Sequence, residues 1–449
     1  MTNEQVEELR AVVERGITDE ELARASAIER DLRHDVMAHV HCLGESCPKA
    51  KPIIHLGCTS QDVVCNADLI SLAQACDLTL RKLDRAVVAL GEAAERSKSI
   101  PTLGFTHYQV AQPVTVGRRC AGWAHDLDII VSCEDGRYLP GDVEKFRGMR
   151  GATGTQASFL NLFGRGELVD LFEARFLDWM RSLAFGGSME AQTPEQVLQS
   201  SIAATERTLR EATEGGAPAE YLERYRRKLE ELRSADPVEY AAGKARWFQE
   251  GRAFKLVGQT YPRVADSMLL GTLASIAAVL HKIATDIRLL SNRKEIDEPF
   301  GKNQIGSSAM PYKRNPMKCE RICGLTRFVM NLVGNAYDTA ATQWLERTLD
   351  DSSNRRLSLP EAFLALDGAL DLMHQVASGL VVNEAMVRKN LMEELPFLAT
   401  ENILMEAVKA GGDRQDLHEK IRVHAQAAGA RGKQEGLDND LIERRPGEP

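Results

Sequence analysis

Residues 69–94 read LISLAQACDLTLRKLDRAVVALGEAA. Apolar side chains fall at Leu69, Ala73, Cys76, Leu80, Leu83, Val87, Leu90 and Ala94, in alternating steps of four and three. That rhythm follows the helical turn and places one apolar stripe along one side of a long helix. The same rhythm returns at Leu269, Leu273, Ile276, Leu280, Ile283, Ile287 and Leu290. It appears a third time at Leu359, Phe363, Leu366, Leu370, Met373, Ala377 and Leu380. Each stripe must be buried against other helices. Strand-like alternation is almost absent, so the reading is an all-α bundle of long helices, shared between subunits.

The chain of 449 residues is too long for one ordinary domain, and 43% hydrophobic with 27% charged residues is the composition of a soluble globular protein. The N-terminus lacks the apolar core of a secretory signal, and no uninterrupted apolar run is expected to span a bilayer. A formal charge of −9 argues against a general nucleic-acid binder, while leaving room for a local basic pocket. Nine cysteines, at positions 42, 47, 58, 65, 76, 120, 133, 319 and 323, are scattered and form no CxxC pair. This favours free thiols in a reducing, cytoplasmic setting. Cys319 and Cys323 lack a second ligand pair that would make a zinc site.

Chemistry is expected in the breaks between helices. Residues 306–316, GSSAMPYKRNP, place Ser307 and Ser308 ahead of Lys313, Arg314 and Asn315. A serine acts as a base only where cations and oriented amides favour its alkoxide, and Lys313 supplies such a charge. A polar loop that caps a helix accounts for the same residues. His107, within the polar break PTLGFTHYQVAQ (101–112), is placed to protonate a leaving group, or is an ordinary hydrogen-bonded histidine. Arg33, His34 and Asp35 form a third group, with His41 expected on the helical face of His34 and His39 off it. In RTLDDSSNRR (347–356), Arg347, Ser352, Arg355 and Arg356 offer donors to phosphate or carboxylate, or begin a salt-bridged helix. Residues 183–250 contain a Thr193 cap, Pro194, the turn Gly215-Gly216 and a charged run, and read as a solvated helical insertion.

GSSAMPYKRNP resembles the signature of the fumarase/aspartase superfamily, a long and specific pattern. RHDVMAHVH, IIHLGCTSQDV, PTLGFTHYQ, GTQASF, GQTYPR, QWLERTLDDSSNRR, LPFLATENI and KAGGDRQDLHEKIR are similar to the adenylosuccinate lyase family, its animal-like branch in particular. The resemblance covers nearly all of the chain outside 183–250. It implies a β-elimination that releases fumarate from adenylosuccinate and from the succinylated aminoimidazole carboxamide ribotide of purine synthesis. Ser307 is then the general base and His107 the general acid, with His34 and Lys313 in support. Substrate contacts are implied for Arg33, His34, Asp35, Thr59, Ser60, Gln259, Lys313, Asn315, Arg321, Arg347, Ser352 and Arg356.

The same resemblance implies no cofactor or metal, no nucleic-acid or membrane partner, and a homotetramer whose core draws helices from all subunits. Each of its active sites is built from three subunits. The expected divisions are 1–59 as an N-terminal helical domain, 60–382 as the central bundle carrying the insertion, and 383–449 as a C-terminal helical domain. Both terminal domains are expected to be shorter than in relatives. Argininosuccinate lyase, fumarase or aspartase chemistry is the nearest alternative, and a non-catalytic helical scaffold is another.

Overall fold

A computed structural model describes residues 1–131, 145–185, 192–249 and 251–444. Cys133, and parts of the expected insertion at 186–191 and 250, lie outside the described residues. The chain is overwhelmingly helical, and its longest helices are Ser60–Arg96, Val264–Asn292, Met317–Ala341 and Asp351–Ser378. It divides into two compact units. The first comprises Met1–Asp77, Leu139–Leu269 and Gly334–Leu357; the second comprises Leu78–Tyr138, Leu270–Val333 and Ser358–Pro449.

The stripe from Leu269 to Leu290 is buried at all seven positions, and the stripe from Leu359 through Ala377 is buried throughout. Leu380 lies beyond the helix end at Ser378 and is half-buried. Along Ser60–Arg96 the buried line runs through Leu69, Ala73, Cys76, Thr79, Leu83, Ala86, Leu90 and Ala93. Leu80, Val87 and Ala94 sit at its margin, half-buried. From Cys76, Leu83 and Leu90 the inner position is reached by a step of three, to Thr79, Ala86 and Ala93, and the residue four on lies about 100° further round at the edge of the stripe. Ser60–Arg96 and Val264–Asn292 are also long and apolar enough, by length and composition, to match a bilayer. Half of the apolar window in Val264–Asn292 is buried within the chain, as in a core helix.

In the first unit, Asp19–Leu32 packs against Asp35–Ser46, and both carry side-chain caps. Thr193 caps the helix Pro194–Glu214 with a full capping box, and Gly216, at φ +70°, turns the chain into Ala219–Ser234. A third helix, Pro237–Gln249, returns against both Pro194–Glu214 and Gly166–Phe185.

The second unit holds a feature that helical periodicity does not reveal. Pro101–Thr106 and Gln109–Thr115 pair as an antiparallel hairpin, with a register shift between Leu103 and Phe105. Leu103, Phe105 and Val110 of the hairpin pack with Leu391 and Leu398 of the helix Glu384–Leu398. A second, minimal sheet pairs Ile296–Asp297 with Val381–Val382.

Candidate active site

The first unit carries a continuous series of contacts among its expected site residues. Thr59 precedes the helix Ser60–Arg96, and its backbone N–H donates to Asp62 Oδ2 at 2.8 Å. Asp62 also accepts from the N–H groups of Arg150 (2.8 Å) and Gly151 (3.1 Å) and pairs with Arg147. Arg147 in turn donates to the carbonyls of Gly151 (2.9 Å) and Gly258 (3.2 Å). One buried carboxylate thus fixes the glycine-rich turn 148–156 against the helix start, and its charge is matched by Arg147.

Gln259 bridges two neighbours. Its Oε1 accepts from the Thr153 N–H at 2.8 Å, while its Nε2 donates to Thr59 Oγ1 at 2.7 Å. Its backbone N–H donates to the Glu346 carbonyl at 3.1 Å. Gly258 permits that approach, because a Cβ there would lie 2.7 Å from the same oxygen. Arg347 follows immediately, and the Gln61 amide oxygen, turned to satisfy both groups, accepts from Arg347 Nη1 at 3.0 Å. Burial, reinforced by Asp62, pushes the Cys58 thiol up to about 12, so the cysteine beside Thr59 stays protonated.

Ser352 and Arg356 lie one turn apart on Asp351–Ser378, and Arg356 Nη2 comes to 3.6 Å from Asp35 Oδ2. Arg355, between them, does not serve this surface. It is buried, bonded to Asp266 at 2.6 Å and Asp68 at 3.0 Å, and packed over the Tyr261 ring. Arg263 lies over the same ring and pairs with Asp351 at 2.7 Å. Burial lowers the Arg355 pKa, but Tyr261 and Asp266 outweigh it and hold the guanidinium charged. Arg355 is therefore a structural anchor and not one of the expected outward donors.

Arg33 closes the helix Asp19–Leu32 in a left-handed conformation, φ +54°, and is exposed. His34 is the N-cap of Asp35–Ser46 and lies outside that helix. The expectation that His34 and His41 share a helical face is therefore overturned: the helix begins one residue later, and His34 has extended backbone. His34 Nδ1 accepts from the Met37 N–H at 3.3 Å and lies 3.5 Å from Asp35 Oδ1.

In the second unit, His107 and Tyr108 form the two-residue tip of the hairpin, with φ of +52° and +57°. Such a turn favours Asn-Gly, and placing His-Tyr there stores backbone strain. Both residues are exposed, and Tyr108 lies 5.8 Å from the Phe105 ring. Residues 301–316 form a loop. Ser307 Oγ accepts from the Met310 N–H at 3.1 Å, and Asn315 Nδ2 donates to the Gly306 carbonyl at 2.9 Å. Asn315 thus braces the loop, while Lys313 is exposed and Arg314 stacks on Phe300. Arg321 is exposed on Met317–Ala341. Among the described residues, His107 and Ser307 share no hydrogen bond.

Residues 3–130 and 236–331 match the family model described as Lyase, and 396–447 match that described as Adenylosuccinate lyase C-terminus. The chain is 44% identical to the adenylosuccinate lyase of Schizosaccharomyces pombe over 445 residues, 99% of this chain and 77% of that protein. The chain belongs to the adenylosuccinate lyase family. The Saccharomyces cerevisiae adenylosuccinate lyase is 42% identical over the same shares of both chains. A crystal structure of a fumarate lyase from Mesorhizobium sp. BNC1 superposes with a TM-score of 0.68, at 18% identity, covering 99% of this chain and 82% of that one. The chain is an enzyme, a lyase of the fumarase/aspartase superfamily.

Within this adenylosuccinate lyase family member, sequence reading passed over Gln61, Asp62, Arg147 and Thr153. Only Asp62 left a local signal: Thr59-x-x-Asp62 has capping-box spacing at a helix start. The other three act through contacts formed only on folding. Among the described residues, no group of three or more His, Cys, Asp or Glu could hold a metal ion. Cys319 and Cys323 are both buried free thiols.

Proposed function

We propose that this lyase eliminates fumarate from adenylosuccinate, giving AMP, and from the succinylated aminoimidazole carboxamide ribotide. The observation that carries the reading is 44% identity to a named adenylosuccinate lyase across 99% of the chain, with the 306–316 loop intact.

Ser307 is the general base. It takes a proton from the carbon beside a substrate carboxylate, and the electron pair forms the fumarate double bond as the C–N bond breaks. His107 delivers a proton to the departing nitrogen. The Met310 N–H, 3.1 Å from Ser307 Oγ, stabilises an alkoxide there, and Lys313 contributes charge from the same loop. Charge building on the carboxylate is met by Lys313 and the loop amides. The strained tip of the hairpin holds His107 outward into solvent, where a substrate or another subunit can reach it.

Arg33, His34, Asp35, Thr59, Ser60, Gln259, Arg347, Ser352 and Arg356 contact the substrate, with Ser352 and Arg356 toward the phosphate. His34 supports the acid step, Asn315 helps stabilise the carbanion-like state, and Arg321 is a further substrate contact. His107 and Ser307 sharing no hydrogen bond is compatible with a homotetramer in which three chains complete each site. The eight cysteines among the described residues are free thiols, which fits a cytoplasmic enzyme.

The test is fumarate release, followed by absorbance, from both nucleotides. Wild-type turnover and its loss in Ser307→Ala, with helical content retained, is the expected result. Normal turnover by Ser307→Ala would remove the base assignment. Failure of the wild-type chain on both nucleotides, with fumarate formed instead from argininosuccinate or aspartate, would reassign the substrate.

A further inference from the structure

Leu103, Phe105 and His107 follow one another at intervals of two along the hairpin, and the first two are pinned from outside it. Leu103 pairs with Pro113, which has no N–H, so its carbonyl receives none from the residue opposite. Arg119, on the helix Val116–Val131, donates to that carbonyl through Nη2 at 2.6 Å. The bond falls at the register shift between Leu103 and Phe105, where the ladder is locally interrupted. The Phe105 ring is covered by the Arg293 guanidinium, 4.9 Å from its centroid. Arg293 Nε donates in turn to Glu295 Oε1 at 3.0 Å, and the same oxygen accepts from Asn390 Nδ2 at 2.7 Å.

Glu295 ties the two pins together. It is 1% exposed, and its charge acts on Arg119 as well as on Arg293. Burial lowers the Arg119 pKa, and Glu295 is foremost among the charges opposing that. Arg119 Nη1 and Glu295 Oε2 are buried without a hydrogen-bond partner among the described residues. Apolar residues of similar volume would cost less at such positions, so stability alone does not account for the group. The tip beyond it cannot hold itself. His107 and Tyr108 occupy left-handed backbone without glycine or asparagine, and such strain persists only where the surrounding structure enforces it.

We infer that Arg119 and Arg293, joined through Glu295, are positioning residues that hold the hairpin at Leu103 and Phe105 and so fix where His107 stands against the departing nitrogen. This inference rests on the proposed reading of His107 as proton donor and deepens it, by naming the side chains that aim it. The brace acts on the proton transfer and not on substrate contacts, so its loss falls on kcat and leaves KM in place.

A double-mutant cycle on the full-length enzyme tests it, using Arg119→Met, His107→Ala and the pair, with kcat and KM measured by fumarate release from adenylosuccinate. Arg119→Met is expected to lower kcat roughly 10- to 100-fold with KM within about twofold of wild type, the scale of a reacting group displaced by about 1 Å. Arg119→Lys keeps a donor for the Leu103 carbonyl and is expected to recover most of that rate. The double variant is expected to be no slower than His107→Ala alone, since nothing remains to be aimed. Multiplied effects in the double variant, or a rise in KM at unchanged kcat in Arg119→Met, would overturn the proposal.

Arg293→Gln takes the same place in the cycle where circular dichroism shows that Arg119→Met folds poorly. Its amide still donates to Glu295 but leaves the Phe105 ring without its cation, and kcat is expected to fall roughly tenfold at constant KM. An unchanged kcat in Arg293→Gln, or effects that multiply with His107→Ala, would also overturn the proposal. With His107→Ala impaired, these outcomes bear on the brace alone. A wild-type rate in His107→Ala would instead defeat the proton-donor reading, and the brace with it.

Discussion

Asp62 and Arg147 form an ion pair in which neither side chain is exposed to solvent. Around it the carboxylate gathers the N–H groups of Thr59, Arg150 and Gly151, so one buried charge organises both the helix start and the glycine-rich turn. Removing Asp62 alone strands Arg147 in a dry interior. Asp62→Ala is expected to lower unfolding free energy by about 3–5 kcal/mol, read from denaturant titration. Asp62→Leu combined with Arg147→Met should cost less than the sum of the two single changes.

The hairpin tip couples stability to activity. His107 and Tyr108 occupy a left-handed conformation that costs a non-glycine residue roughly 1 kcal/mol or more. His107→Asn with Tyr108→Gly restores the residues such a turn prefers, and is expected to raise the thermal midpoint while fumarate release falls about 10²- to 10⁴-fold. An unaltered rate in this pair would separate His107 from proton donation.

Gly306 sits where no side chain fits. A Cβ there would lie 2.3 Å from the Lys313 carbonyl and 3.1 Å from the Phe300 ring. Gly306→Ala must therefore open the loop next to Ser307. Misplacing a reacting group by about 1 Å costs on the order of 10²-fold, so kcat is expected to drop on that scale. The circular dichroism spectrum should remain that of wild type, since the change is confined to a loop.

At the N-terminus, the hydrogen bond from Arg15, with further bonds from Ser46 and the Thr18 N–H, holds the Glu21 carboxyl at about 2 against an ordinary 4.5. A depressed carboxylate stabilises the fold fully above its unfolded pKa, and that contribution is lost as pH falls through the folded value. Hydrogen-exchange protection factors, corrected for the intrinsic rate at each pH, are expected to fall in Asn3–Arg15, Asp19–Leu32 and Asp35–Ser46 between about pH 4.5 and pH 2. Glu21→Gln should flatten that dependence.

What could be read in advance follows from the range of the interactions involved. The stripes at Leu269–Leu290 and Leu359–Ala377 were legible because helical periodicity is written in residues three and four apart. The 306–316 loop was legible because its glycine, prolines and polar residues are local breakers. The hairpin at 101–115 was not, since its tip is His-Tyr in place of Asn-Gly and its strands show no clean alternation. The true N-terminus of the helix at Asp35 was displaced by one residue, because a histidine seldom announces itself as a cap.

By itself, then, the sequence determined the long-helix architecture, the family and the loop that carries Ser307. Tertiary structure decided which of two adjacent arginines reaches outward. Arg355 and Arg356 are equivalent as residue types, but one helical step of about 100° turns Arg355 onto Asp266 and Tyr261 and leaves Arg356 beside Asp35. It also joined Thr59 to Gln259, which lies far from it along the chain and meets it only through folding. Local spacing fixes which face a residue belongs to; which partner waits on that face is set by long-range packing alone.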